Sequence, residues 1–183
     1  VTNMKLANRQ VIREGDERGL AARLADAKFC IADDRQTTLA DRVAKQQAVT
    51  FHQKLGSLYW KTRRVVAMAE YVARQVGDEQ LIQDCCRAAE LSKADLLTGI
   101  VGEFPTLQGI MGGEYAKHDG ESPIVSAAIR EQYMPRAMEG ELPESLAGKV
   151  LSLADRLDSI AGFFLVGLVP TGSEDPFALR RHA

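Results

Sequence analysis

Residues 58–76 carry Leu58, Thr62, Val65, Val66, Ala69, Val72, Ala73 and Val76 in the three-and-four spacing of one helix face, with Gly77 directly behind them. A stripe that broad leaves water only when other apolar surfaces cover it, so the chain is committed to packing helix on helix. Ser57 stands where a hydroxyl can cap the first turn, and Gly77 stands where a helix stops. This segment is expected to be the longest helix of the chain.

The same spacing recurs on both sides of it. Leu20, Leu24, Ala27 and Ile31, at intervals of four, three and four, mark a helix from Glu17 that the pair Asp33-Asp34 brings to an end. Thr38 can cap LADRVAKQQAV, and Asp78 can cap a helix carrying Leu81, Ile82, Cys85, Ala88, Ala89 and Leu91, with ADLLTGIVGEF as a further segment behind it. Ser122-Pro123 opens IVSAAIREQY, where the proline's missing amide hydrogen costs nothing in the first turn. Pro143 is expected to start a helix through Leu146, Val150, Leu153, Ala154, Leu157 and Ala161. Alternating strand patterns are scarce and no internal repeat is present, so the fold class is mostly α.

Residues 1–16 are polar without sustained periodicity, and a strand-like or irregular lead-in from a preceding domain, closed by Gly15 and Asp16, is expected there. Residues 17–183 then form one helical domain. The 183 residues suffice for one sizeable core. Hydrophobic residues at 45% and charged residues at 26% exclude disorder as the main state. IAGFFLVGLV at 160–169 falls short of the roughly 18 apolar residues a membrane span needs, so it reads as buried core and no membrane partner is expected. The chain opens VTNMKLANRQ, with neither an initiator methionine nor a signal pattern, and stops at RRHA; it reads as an excised piece. Cys30, Cys85 and Cys86 form no even framework, which fits a reducing, cytoplasmic setting. A formal charge of -2 argues against a generally basic nucleic-acid coat while leaving room for a local basic patch.

Three stretches carry candidate chemistry. In SLADRLDS, Asp155 and Asp158 lie three residues apart on one helix face, where two acids can bind a divalent metal or divide acid and base roles. His52, His118 and His182 all fall outside the strong stripes, so a hydrogen-bonded or solvated structural role is the preferred reading. WKTRRV sets Lys61, Arg63 and Arg64 beside Tyr59 and Trp60, a mixture that can meet phosphates and stack on bases. Its bland alternative is a solvated helix face with buried aromatics. PTGSEDPFALRR delivers Arg180 and Arg181 from a turn, either to a partner or RNA or simply as the start of a helix, and it lacks the lysine-bearing phosphate loop. Cys85-Cys86, on an apolar stripe, is expected in the core rather than as a nucleophile.

VGEFPTLQGIMGGEYA at 101–116 is a separate puzzle, with glycines and a proline set among apolar residues. Pro105 disfavours helical geometry at Phe104, while Gly109, Gly112 and Gly113 permit backbone angles or approaches that a Cβ would obstruct. The preferred reading is a packed corner with Phe104, Leu107, Ile110 and Met111 turned inward and the Gln108 amide satisfying buried backbone groups.

The blocks ARLADAKF, FHQKLGS, AAELSKADLLTGIVGEFPTLQGIMGGEYA, ADRLDSIAGFF and PTGSEDPFALRR resemble, in this order, the middle of the β subunit of the bacterial two-subunit glycyl-tRNA synthetase. The resemblance runs from about Gly15 to Ala183 and implies an HD-like helical domain, truncated at its C-terminal end. It implies as partners glycine tRNA, the α subunit that holds the aminoacylation site, and the remaining β-subunit domains. ATP and magnesium are implied for the complete enzyme, and no cofactor or catalytic residue for this piece. Active HD proteins hold metal with an early histidine, a later His-Asp pair and a final aspartate. Laid on that pattern, Lys61 falls near the first ligand, Ser92 and Lys93 near the pair, and Asp155 on the last. Two ammonium groups offer a cation no lone pair, so no metal centre is expected, with Asp155 the only retained ligand position and Asp95 at most one more oxygen. The expected role is a noncatalytic module with Lys61, Arg63, Arg64, Arg180 and Arg181 as candidate tRNA contacts. The alternatives are an HD-type metal-dependent phosphohydrolase and a purely structural, partner-binding module.

Overall fold

A computed structural model describes residues 9–137, 139–170, 175 and 179–182. Its helices are α1 (Arg9–Asp34), α2 (Leu39–Lys45), α3 (Leu58–Val76), α4 (Glu79–Leu91), α5 (Gly99–Glu103), α6 (Ile110–His118), α7 (Pro123–Glu131), α8 (Leu146–Leu165) and α9 (Leu179–His182). One antiparallel hairpin, β1 (Thr50–His52) with β2 (Gly56–Ser57), pairs Thr50 with Ser57 and His52 with Gly56. The mostly α architecture is thus as the apolar spacing predicts, and the hairpin in FHQKLGS is an addition. It is too short to show alternation.

Helices α3, α4, α7 and α8 pack around one core. Leu39, Leu91, Ile100, Ile129 and Leu151 are at most 1% exposed, and each such side chain is worth roughly 1.5–3 kcal/mol of burial. Cys85 lies in this core, where burial pushes its thiol up to about 11, the setting of an inert packing residue.

Several expectations are corrected. Residues 9–16 are helical, because α1 runs unbroken through Gly15 and Asp16. Residues 1–8 of the proposed lead-in lie outside the described residues. Helix α3 has 19 residues and is shorter than α8 with 20 and α1 with 26. On α1, Leu20 and Leu24 are 61% and 55% exposed, and among its apolar residues Ala27, Cys30 and Ile31 pack on the core. Pro143 does not start α8; Ser145 does, its hydroxyl accepting the Gly148 amide at 2.9 Å while Glu131 holds the Ser145 amide and hydroxyl. IAGFFLVGLV buries Phe163 but leaves Phe164, Leu165 and Val169 largely exposed.

Thr38, Asp78 and Ser122 cap their helices as their residue types predict, whereas the Ser57 hydroxyl makes no cap bond. Other helix starts are capped across the fold. Asp34 accepts the amides of Gly99 and Ile100 at 2.7 and 3.0 Å, opening α5, and Asp119 accepts the Leu39 amide at 2.7 Å, opening α2. These caps come from residues far away in sequence, so local patterns cannot reveal them.

Candidate nucleic-acid interface and the charge cluster beneath it

The corner at 101–116 is built around a buried carboxylate. After α5, Pro105 opens a single 3-10 turn, and Gly109 follows at φ +78, a backbone angle that leaves the chain pointing into α6. Asp95 accepts the Gly109 amide at 2.6 Å; burial raises its carboxyl above the usual range despite the Gly109 bond and nearby Lys93. A Cβ on Gly112 would stand 2.8 Å from Ile129 Cγ2 and one on Gly113 2.9 Å from the Ser126 carbonyl, so these glycines let α6 lie against α7. Phe104, Leu107 and Met111 pack on the core as expected, whereas Ile110, expected with them, is half-buried and does not join that packing. Gln108 does not serve buried groups with its amide. Its carbonyl, with that of Thr106, accepts the Arg136 guanidinium at 2.9 and 3.0 Å on the surface.

The buried amide is Gln132. Its Nε2 donates to the carbonyls of Ser92 and Ile129 at 2.7 and 2.9 Å, and its Oε1 accepts from Lys93 Nζ at 2.8 Å. Lys93 Nζ also meets Asp155 Oδ2 at 2.8 Å and lies 4.2 Å from the Tyr133 ring centroid. From the other side, Lys61 Nζ reaches Asp155 Oδ1 at 2.9 Å, Asp158 Oδ2 at 3.1 Å and Ser159 Oγ at 2.9 Å. Arg64 Nε completes the set on Asp158 Oδ1 at 2.6 Å, and its Nη1 ties down the Leu55 carbonyl of the hairpin.

Lys61, Lys93, Asp155 and Asp158 are between 2% and 7% exposed, so the charges answer one another in a low-dielectric interior. Burial alone would raise the Asp155 carboxyl; the ammonium groups of Lys93 and Lys61 outweigh it and hold the carboxyl well below the usual range. The Asp155–Asp158 pair is therefore held by cations, and each ammonium is engaged by oxygens. Among the described residues, no three His, Cys, Asp or Glu side chains come together as a metal-binding group.

The basic candidates separate on this geometry. Lys61 is 4% exposed and directs its charge inward. Arg64 is half-buried and shares Asp158 with Lys61. Arg63, between them in sequence, points to solvent, and none of the hydrogen bonds or ion pairs of the described residues engages it. Trp60 is also outward, 60% exposed, with its ring edge-on to Tyr59 at 5.8 Å. At the far end, Asp175 accepts the amides of Leu179 and Arg180 at 2.7 and 3.0 Å and so opens the four-residue α9, with Leu179 buried. Arg180 is exposed; the Arg181 side chain and residues 171–174 and 176–178 lie outside the described residues.

Gln132 and Tyr133 are the site residues that sequence reasoning missed. Gln132 continues the stripe Val125, Ala128, Ile129 at the helical interval, and a polar residue in an apolar stripe is the available signal for a buried hydrogen-bonded group.

Fold and site together define a helical domain whose interior is pinned by a lysine–aspartate cluster. The model of the family described as glycyl-tRNA synthetase beta subunit matches residues 1–183, and the chain belongs to that family. It is 51% identical over 170 residues to the glycine–tRNA ligase beta subunit of Ligilactobacillus salivarius, covering 92% of this chain and 24% of that protein. To the beta subunit of Bacillus subtilis it is 47% identical over 173 residues, 94% of this chain and 26% of that one. The chain spans about a quarter of the length of these relatives.

Proposed function

We propose that this chain is a noncatalytic module of a glycyl-tRNA synthetase β subunit, supporting tRNA recognition and the architecture of the subunit. The complete enzyme attaches glycine to its tRNA with ATP and magnesium, in the cytoplasm, together with an α subunit. Residues 17–183 form its HD-like domain, with the preceding residues leading in from another domain. The HD-like reading draws support from the meeting of Lys61, Lys93 and Asp155, the positions that resemblance assigns to metal ligands. There the two ammonium groups occupy the carboxylate oxygens that a cation would need.

The observation that carries tRNA contact is Arg63, an outward guanidinium with no carboxylate partner among the described residues, beside the exposed Trp60. Arg180 is the second surface candidate. Lys61 and Arg64 act from behind by fixing the helix that presents Arg63. In the whole α/β enzyme, Arg63→Glu weakens binding of glycine tRNA and lowers the slope of log affinity against log salt by about one, as loss of one phosphate contact requires. An unchanged affinity and slope removes Arg63 from the interface.

A further inference from the structure

Resting on the tRNA reading, we infer that the outward face of α3, formed by Trp60, Arg63, Ala67 and Tyr71, is a stacking strip for an unpaired stretch of RNA. Intervals of three, four and four put these residues on one helix face, about 16 Å from end to end at the helical rise. Trp60 is 60% and Tyr71 65% exposed, and Ala67 between them is exposed and small.

Two features distinguish the strip from stray surface aromatics. First, the indole is held in place. Gly56 has φ +86, and a Cβ there would sit 3.3 Å from Trp60 Cδ1, so the bare hairpin turn is the shelf against which the ring rests. Tyr59 supports it edge-on, with an interplanar angle of 72°. A ring fixed before binding loses little freedom when a base stacks on it. Second, the charge beside the strip is positive and uncompensated. Among the described residues Arg63 has no hydrogen-bond or ion-pair partner, the ammonium of Lys54 in the same hairpin turn has none, and the one carboxylate on α3, Glu70, is taken by Arg74 at 2.7 Å.

That chemistry suits phosphates with bases between them, since each base offers a π-face to an aromatic and each phosphate a charge to an arginine. A face of apolar residues has another composition, as on α8. There Leu146, Leu153, Leu157 and Phe164 are 38–49% exposed along one line. A duplex hides its base faces within the stack, so the ligand class is single-stranded.

Trp60 is the only tryptophan of the chain, and its fluorescence therefore reports on the strip directly. We expect an unstructured oligoribonucleotide of about ten residues to quench it saturably and in a salt-sensitive manner, and the same strand annealed to its complement to quench it far less. With a dye-labelled strand, Trp60→Ala and Tyr71→Ala each weaken binding about five- to a hundredfold while Trp60→Phe restores most of it, and the melting temperature of each variant stays near that of the parent. Equal quenching by the duplex, or none by the single strand, overturns the inference. So does a whole enzyme in which Trp60→Ala loosens subunit or domain contacts and leaves RNA affinity unchanged, because the strip is then a protein seam. Should Arg63→Glu weaken tRNA binding while Trp60 stays unquenched, the electrostatic reading stands and the stacking strip alone falls.

Discussion

Trp60 and Lys61 are neighbours on α3 and exchange the places their chemistry would suggest: the tryptophan is 60% exposed and the lysine 4%. On the inner side, Lys61 joins Lys93, Asp155 and Asp158 in a cluster of buried ion pairs. On the outer side, Trp60 is held by the Gly56 turn and Tyr59, and Arg63 reaches solvent with no ion pair among the described residues. The difference teaches that charge at this helix is sorted by partners. A lysine goes inside when two carboxylates wait there, and an arginine left outside without one is available to a ligand.

Breaking the inner side has the largest expected effect. Asp155→Asn leaves two buried ammonium groups facing a neutral amide, a loss of about 3–5 kcal/mol measurable by urea unfolding. A loss under about 1 kcal/mol would mean that water reaches the cluster.

Next comes Gly109→Val, which forces a β-branched residue to φ +78 and drives its Cβ to 2.9 Å from Tyr133, the ring beneath the Lys93 ammonium. Backbone strain and overpacking together predict a cost of roughly 2–4 kcal/mol. Its effect on tRNA affinity should be small, and a stable variant that has lost tRNA binding would place the corner in the interface instead.

A smaller effect, and a sharper one, is pH. The folded state holds the Asp155 carboxyl below its unfolded value of about 3.9, so its contribution is present above that pH and is lost as pH falls through the folded value. Asp95, raised in the folded state, runs the other way and contributes most when the medium is acid. The stability difference between the parent and Asp155→Asn should therefore shrink as pH drops below about 4, and a constant difference would show that the cluster's charge is not what the mutation removes. Arg63→Glu and Trp60→Ala, at the outer side, change exposed side chains that make no hydrogen bond or ion pair among the described residues, and should leave stability within about 0.5 kcal/mol.

Much of the fold was legible in the sequence. The stripe on α3 and the caps at Thr38, Asp78 and Ser122 are local, and local rules read them. The glycine corner was also readable as a corner, because Pro105 and Gly109 restrict or release their own backbones. Lys61 was legible as basic and illegible as buried. Its three carboxylate and hydroxyl partners lie on α8, nearly a hundred positions away for Asp158 and Ser159. Gln108 was assigned the work that Gln132 does, because apolar neighbours in sequence mark a buried amide less reliably than a place in a helical stripe.

The sequence by itself determined most of the helices and the family to which the chain belongs, since periodicity, capping chemistry and a run of matched residues are properties of short stretches. Only the tertiary structure decided which charges are spent and which are free. An ion pair depends on distances between segments remote in sequence, so Lys61, Arg63 and Arg64, alike on paper, become a buried staple, an exposed cation and a half-buried brace.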